Sequence, residues 1–154
     1  MTYRISGLDP QLFKGVYGAS EATLAGQGAV RMKVDAQPGY PCRVSLVDAA
    51  VGESVLLLPH RLERSGPYAF TYAIFVRENA ADAATYVDEV PPVFTSRQLS
   101  LRGFDKHDMV AATALAQPGR ADAALREILE DPAISYIDVH NAIPGCFAAR
   151  VERA

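Results

Sequence analysis

Five strand-like segments follow one another between Cys42 and Ala116, and no helical segment separates them. They contain β-branched and aromatic residues and are bounded by Gly, Pro or charged residues, which is typical of strands. Parallel strands need a long crossover connection, so this order predicts an antiparallel or mixed sheet. The predicted strands cover residues 43–47, 55–60, 70–77, 98–104 and 109–116.

Helical periodicity appears on either side of this β-rich region. Residues 9–17 begin with Asp9 at the expected N-cap and Pro10 at the first helical position, and residues 120–130 place their apolar side chains on one stripe. The 154 residues are enough for one hydrophobic core. We therefore predict a single α+β domain in which two or three helices pack on the sheet. Shorter segments predict strands at 3–6 and 29–34 and a helix at 20–24.

The C-terminal segment from Ile134 to Val151 is predicted to form a hairpin around a Pro-Gly turn. With a loop at residues 141–145, the expected cross-strand pairs are His140 with Cys146, Asp138 with Ala148, and Tyr136 with Arg150. One face is apolar and is expected to lie in the core; it carries Ile137, Val139, Phe147, Ala149 and Val151. The other face is polar and is expected to look toward solvent, a cleft or another subunit.

The pair of His140 and Cys146 is the first candidate for chemistry. As direct cross-strand neighbours their side chains would lie about 5 Å apart at Cβ. An imidazole at that distance can take the thiol proton and leave a nucleophilic thiolate, with Asp138 or Asn141 orienting the ring. The candidate catalytic residues are therefore Cys146, His140 and Asp138. The alternative is a half-buried cysteine beside a histidine that closes the hairpin.

The same residues offer a weaker alternative as metal ligands. Asp138 and His140 would lie on one strand face, and Cys146 could complete an open three-ligand site, with His60 or Cys42 contributing from another strand. First-row metal sites usually have denser clusters of such residues, so no metal site is predicted. No motif in the chain indicates a cofactor.

Arginine is much more frequent than lysine, with 12 arginines among the 15 basic residues. A guanidinium that points inward from a sheet needs an anionic partner, which a ligand carboxylate or phosphate could supply. The alternative is ordinary surface pairing with nearby Asp and Glu residues, each pair contributing about 0–1 kcal/mol. The candidate ligand-binding residues are Arg43, Arg77, Arg97, Arg102 and Arg150, together with Asn141 and Cys42.

Charge and hydropathy exclude two broad classes of partner. A net charge of −3 and the absence of any basic run disfavour nucleic-acid binding. No stretch approaches the roughly 20 uncharged apolar residues that span a bilayer, and the N-terminus lacks the apolar region of a signal peptide, so we expect a cytoplasmic protein without membrane association. Cys42 and Cys146 lack a C-x-x-C spacing and are expected to be free thiols.

Several stretches of the chain resemble the bacterial family known as domain of unknown function 1203. They are Tyr3-Arg-Ile-Ser-Gly-Leu-Asp-Pro10, Pro38-Gly-Tyr-Pro-Cys-Arg-Val-Ser-Leu46, Ala73-Ile-Phe-Val-Arg-Glu78, Val90-Pro-Pro92, Ser96-Arg97, Leu99-Ser-Leu-Arg102, Val139-His-Asn-Ala142 and Gly145-Cys-Phe-Ala-Ala-Arg150. The resemblance covers essentially the whole chain. It implies no catalytic residues, because the family is defined without a function.

Two hypotheses about function follow from these observations. The first is a domain that binds an anionic small molecule, or a small enzyme, with an Arg-lined cleft near the Cys146 and His140 pair. The second is a non-catalytic interaction protein whose polar hairpin face is a subunit interface. A homodimer formed through sheet edges is a separate expectation. The first predicts that arginines and the thiol converge on one concave site, whereas the second predicts a flat polar face.

Overall fold

The structure is a computed structural model that describes every residue from Met1 to Ala154. It contains nine strands and three α-helices, and short 3-10 turns at Pro10–Phe13 and Gly66–Tyr68. In chain order the elements are β1 (Tyr3–Ser6), α1 (Glu21–Gly26), β2 (Val30–Lys33), β3 (Ser54–Arg61), β4 (Thr71–Arg77), β5 (Thr85–Val87), α2 (Pro92–Thr95), β6 (Leu99–Phe104), β7 (Val110–Ala116), α3 (Ala121–Leu129), β8 (Tyr136–Asn141) and β9 (Phe147–Arg153).

The strands form two antiparallel sheets. The larger sheet has six strands in the order β5-β1-β9-β8-β6-β7, and the smaller has three in the order β2-β3-β4. The predicted α+β class with antiparallel pairing is therefore confirmed. None of the helices is long and apolar enough to cross a membrane.

The main core lies between the six-stranded sheet and α3. Leu125 and Leu129 of α3 are fully buried there with Leu101, Ile137 and Val151 of the sheet. The spacing of four residues places both leucines on one side of the helix, as the sequence predicted. Each such side chain contributes about 1.5–3 kcal/mol by leaving water. A second core joins α1, the residues around Phe13 and the three-stranded sheet.

The predicted helix at residues 9–17 is wrong beyond its first turn. The Asp9 carboxylate accepts a hydrogen bond from the Gln11 N–H at 2.9 Å, so the predicted N-cap is confirmed. The helical residues then end at Phe13. Gly15 and Gly18 follow, and Gly18 adopts a left-handed φ of 66°, which ends right-handed helix geometry. Successive turns replace the helix and leave Leu12 exposed.

The predicted strand at residues 43–47 is also wrong. These residues form a turn in which the Leu46 N–H donates to the Cys42 carbonyl oxygen at 3.0 Å, and Leu46 has a φ of 55°. Val44 and Leu46 are both fully buried, but Val44 packs in the core around α1 whereas Leu46 packs in the core under α3. The alternation of apolar residues therefore arises from a turn between two cores, and not from a strand.

The predicted C-terminal hairpin is present, but its register differs from the prediction by two residues. Asp138 pairs with Arg150 instead of Ala148, and Tyr136 pairs with Glu152 instead of Arg150. A bulge then adds one residue to β9, so that His140 pairs with Phe147 instead of Cys146.

The bulge also changes the side of the sheet on which Phe147 lies. Ile137, Val139, Ala149 and Val151 belong to the main core as predicted. The Phe147 ring instead packs against the ring of His140, with centroids 5.8 Å apart, on the side predicted to be polar. The assignment of Phe147 to the apolar face is therefore wrong, although the residue is buried.

The polar side of the hairpin lies mostly inside the molecule. Asp138 and His140 are 0% and 1% exposed. Tyr72 of β4 makes an edge-on contact with the His140 ring at 4.9 Å between centroids, and Arg64 forms an ion pair with Asp138. The layer that covers these two residues therefore includes β4 of the second sheet and the loop between β3 and β4.

Candidate functional site

A cavity of about 530 Å³ lies where the two sheets meet the loop of the C-terminal hairpin. This volume is within the range of small-molecule sites. The walls come from β3 and β4, from the segment that leads into the turn at Arg43, from the residues just before β6 and from the hairpin loop. We call it the hairpin cleft; its residues are Gly39, Pro41, Arg43, Leu57, Ala73, Phe75, Arg97, Gln98, Asn141, Ala142, Ile143, Pro144 and Cys146.

Arg43 supplies a buried positive charge to the hairpin cleft. The residue is only 3% exposed. Its Nε donates to the Phe147 carbonyl oxygen at 2.8 Å, and its Nη1 donates to the carbonyl oxygen of Pro41. Burial lowers the pKa of Arg43, but arginine stays protonated at neutral pH. Because both acceptors are uncharged carbonyl groups, the guanidinium has no carboxylate partner in the chain.

Arg97 is a second guanidinium in the cleft, but its charge is neutralised. It donates to the two oxygens of Asp48 at 2.6 and 2.9 Å, and to the Val93 carbonyl oxygen at 3.0 Å. This geometry holds the planar group rigidly in the wall. Asn141 lies beside it at the end of β8, where its N–H donates to the Cys146 carbonyl oxygen at 3.0 Å. The cleft therefore brings together Arg43, Arg97, Asn141 and Cys146 of the predicted site residues.

The structure does not bring His140 into the same cavity as Cys146. Nδ1 of His140 lies 2.9 Å from the Gly145 carbonyl oxygen. A carbonyl oxygen can only accept, so Nδ1 carries the proton and Nε2 is left as an acceptor, without a partner in the chain. Burial lowers the pKa of His140 to about 4, so the ring is neutral at pH 7. Cys146 instead lines the hairpin cleft, and no hydrogen bond links its thiol to the imidazole.

Asp138 is fully buried and is shared by two guanidinium groups. Arg150 donates to it through Nε at 2.8 Å and Nη2 at 3.1 Å, and Arg64 donates to it through Nη2. The Arg64 side chain is itself buried, with its guanidinium 3.9 Å above the centre of the Phe104 ring. Asp138 therefore acts as the counter-ion of two cations and makes no hydrogen bond to the His140 ring.

The remaining predicted ligand-binding residues lie outside the hairpin cleft. Arg77 pairs with Glu53 at 2.6 Å, which is the ordinary surface pairing that the sequence left as an alternative. Arg102 donates to the Tyr72 hydroxyl at 3.2 Å, near His140. Cys42 is buried, and its sulfur accepts hydrogen bonds from the backbone N–H groups of Arg77 and Ser45. The side chain therefore stabilises the backbone of the turn.

Arg64 is the functional candidate that sequence reasoning missed. It lies in the loop between β3 and the 3-10 turn at Gly66–Tyr68, outside every predicted strand. Its neighbours Glu63 and Ser65 are residue types typical of a solvated loop, so the local sequence does not indicate that Arg64 is buried.

The side chains considered as metal ligands do not assemble into one cluster. No group of three or more His, Cys, Asp or Glu side chains is placed to hold a metal ion. Asp138 is occupied by arginines, His140 lies against Tyr72 and Phe147, and Cys146 lines the cleft.

Comparison with known proteins identifies the chain at the level of a family. The family model described as protein of unknown function (DUF1203) matches residues 39–153. This range includes the hairpin cleft and Arg64, and it leaves the resembling stretch at residues 3–10 outside the match. Neither the curated proteins nor the solved structures gave a significant match.

Proposed function

Because the chain belongs to the DUF1203 family, whose function is unknown, we propose a function from its own geometry: it binds a small organic carboxylate in the hairpin cleft. The observation that carries this proposal is the buried guanidinium of Arg43, which lines the cleft without a carboxylate partner. A buried charge is costly unless it is paired, so an anionic ligand would supply the missing counter-ion.

The charge balance of the cleft favours a ligand with one negative charge. Arg97 is already paired with Asp48 in a two-point contact, so Arg43 alone lacks a counter-ion. A phosphate monoester carries nearly two negative charges, and Arg43 would neutralise only one of them. The second charge would lie near the Asp48 carboxylate, which would repel it. A monocarboxylate matches the single available cation, and the fork of a guanidinium suits its two oxygens.

The rest of the cleft favours an apolar body on that carboxylate. Leu57, Phe75 and Pro144 contribute apolar surface, and the Asn141 side chain supplies an amide that can donate or accept. Apolar walls with a few placed polar groups are the usual design of a small-molecule site. The proposed ligand is therefore a short-chain or cyclic organic acid with few other polar groups.

We propose binding without covalent chemistry at Cys146. Activation of the thiol by His140 would need a hydrogen bond between them, and the only side-chain hydrogen bond of that ring is to the Gly145 carbonyl oxygen. The thiol of Cys146 then serves as part of the cleft wall. We place this role in the bacterial cytoplasm, where a reducing environment keeps thiols such as Cys42 and Cys146 free.

Native mass spectrometry of the purified protein tests the proposal, with a variant that fills the cleft. Ala73 is an exposed residue of β4 in the cleft wall, so Ala73→Trp should block the site and leave the fold intact. Thr71→Trp is the matched control, since Thr71 is exposed on the same strand outside the cleft.

The expected result is an organic acid, co-purified or added, that binds the wild type and Thr71→Trp but not Ala73→Trp. Equal binding by all three proteins would place the ligand elsewhere and contradict the proposal. Failure of the wild type to bind any of a panel of short aliphatic and cyclic monocarboxylates would contradict it as well.

A further inference from the structure

A second cavity, of about 310 Å³, lies on the polar side of β6 and β8 and shares no residue with the hairpin cleft. Its lining includes the polar side chains of Arg64, Arg102, Thr113 and His140. Aromatic rings form much of the remaining wall, among them Tyr68, Tyr72 and Phe104. We call it the aromatic cavity. Its volume is at the lower end for small-molecule sites and suits a ligand with one ring.

Two of the residues that line the aromatic cavity have buried polar atoms without partners. They are Nε and Nη1 of Arg64 and Nε2 of His140. The Arg64 side chain is 2% exposed, and its one hydrogen-bonded nitrogen contacts Asp138. Buried polar atoms in native proteins are nearly always paired, so unpaired donors and an unpaired acceptor in one cavity wall point to a ligand that pairs them.

The charges around the aromatic cavity do not balance. Arg64 and Arg150 share the single carboxylate of Asp138. Arg102 has no carboxylate, since its hydrogen bonds go to the hydroxyl groups of Tyr72 at 3.2 Å and Ser100 at 3.4 Å.

Glu152 also acts on Arg150, but it is already paired with Arg4 at the surface. Asp108 is the remaining acidic residue close to this group. It accepts hydrogen bonds from the Tyr136 hydroxyl at 2.8 Å and from the Ser65 N–H at 3.0 Å. With both carboxylates counted against three guanidinium groups, one positive charge is still without a counter-ion. An anionic group in the cavity would restore the balance.

We propose that the aromatic cavity binds a small aromatic carboxylic acid that carries a hydroxyl group. The carboxylate would accept hydrogen bonds from the free nitrogens of Arg64 and from Arg102. The hydroxyl would donate to Nε2 of His140, which accepts because Nδ1 is committed to the Gly145 carbonyl oxygen. The rings of Tyr68 and Tyr72, which also line the cavity, would provide the contacts that an aromatic ring prefers.

Isothermal titration calorimetry with benzoate and the three isomers of hydroxybenzoate tests this assignment. A site that is built to hydrogen-bond a hydroxyl discriminates strongly against the analogue that lacks it. We expect at least one isomer to bind about tenfold more tightly than benzoate, which is the scale of one net hydrogen bond, and His140→Phe to abolish that difference. Arg102→Gln should weaken binding of both benzoate and the preferred isomer.

A pair of variants on β7 controls for effects on folding. Thr113 is an exposed residue that lines the aromatic cavity, so Thr113→Trp should block binding. Leu115→Trp makes the same kind of change two residues later, on the same side of the edge strand and outside the cavity, and should bind as the wild type does.

The hairpin cleft is tested separately by Ala73→Trp, which should leave hydroxybenzoate binding unchanged. Binding that is lost in Ala73→Trp and kept in Thr113→Trp would assign these acids to the hairpin cleft and overturn the proposal. Hydroxybenzoates that bind no better than benzoate, or that do not bind, would overturn it as well.

Discussion

The Nε of Arg43 donates a 2.8 Å hydrogen bond to the carbonyl oxygen of Phe147, the first residue of β9. This contact ties the turn after Cys42 to the C-terminal hairpin. It also fixes the guanidinium at the base of the hairpin cleft, between the two sheets. The hydrogen bond between Arg43 and Phe147 therefore both shapes the cleft and positions the positive charge within it.

Loss of the Asp138 carboxylate should destabilise the protein strongly. Asp138→Asn leaves Arg64 and Arg150 without their counter-ion, and Arg64 is buried, so the free energy of unfolding should fall by roughly 3–5 kcal/mol. The matched control is Glu152→Gln, which removes the exposed partner of Arg4. This change should alter the free energy of unfolding by only about 0–1 kcal/mol. Urea denaturation measures both values, and similar losses in the two variants would show that the buried ion pairs are not formed.

Truncation of Phe147 should cost more than truncation of Arg150. Phe147 is buried against His140, and Phe147→Ala should lower the free energy of unfolding by roughly 3–5 kcal/mol. Arg150→Ala leaves Asp138 paired with Arg64, so its effect should be smaller. The same denaturation experiment compares them. A larger loss of stability in Arg150→Ala would mean that Arg64 alone does not stabilise the buried Asp138 carboxylate.

The stability should fall as the pH falls from about 6.5 to about 4. Burial lowers the pKa of His140 from 6.5 to about 4, with Arg102 and Arg64 acting in the same direction, and Gly145 and Asp138 opposing it. Between these values the unfolded chain binds a proton that the folded chain does not, so unfolding is favoured by up to roughly 3 kcal/mol at the acid end.

The variant His140→Phe should flatten this pH dependence. Burial also lowers the pKa of His60, so a smaller slope of the same sign should remain. Glu53 and Glu78 have pKa values lowered below 4.5 by Arg77 and Arg31, so they act mainly at still lower pH. An unchanged slope in His140→Phe, measured by urea denaturation across this range, would mean that the imidazole is not buried.

Cys146 should react with iodoacetamide before Cys42 does. Cys42 is 1% exposed and its sulfur accepts two N–H groups, whereas Cys146 is partly exposed in the cleft. Mass-spectrometric mapping across a range of pH reports both rates. Because no hydrogen bond links His140 to the thiol, His140→Ala should leave the pH profile of Cys146 unchanged. A shifted profile would support the catalytic hypothesis, and faster labelling of Cys42 would contradict the burial.

The sequence predicted most of the strands, but it did not predict the turns that follow Phe13 and Cys42. Segments with long periodic patterns, such as those of β3, β4, β6, β7 and α3, appear within one or two residues of the predicted bounds. The turn at Arg43 was unpredictable because Val44 and Leu46 alternate like a strand while they fill separate cores. The elements β5 and α2 are only three and four residues long and carry no periodicity.

The sequence identified several of the residues that line the hairpin cleft, but not their positions relative to one another. Arg43, Arg97, Asn141 and Cys146 do converge on one cleft. The bulge at Ala148 is a tertiary feature without a local signal, and it separates His140 from Cys146. Arg64 was missed because its pairing with Asp138 joins residues 74 positions apart in the chain.

Binding of a monocarboxylate at Arg43 is tested by comparing Arg43→Met with the wild type in two measurements. One is the affinity for the monocarboxylate identified by native mass spectrometry, and the other is the free energy of unfolding. If Arg43 serves a ligand, Arg43→Met should abolish binding while the protein stays folded, at a cost of roughly 1–3 kcal/mol in the free energy of unfolding, because the carbonyl oxygens of Phe147 and Pro41 lose their donor. Unchanged affinity in Arg43→Met, or affinity that falls only in proportion to a large loss of folded protein, would contradict the account.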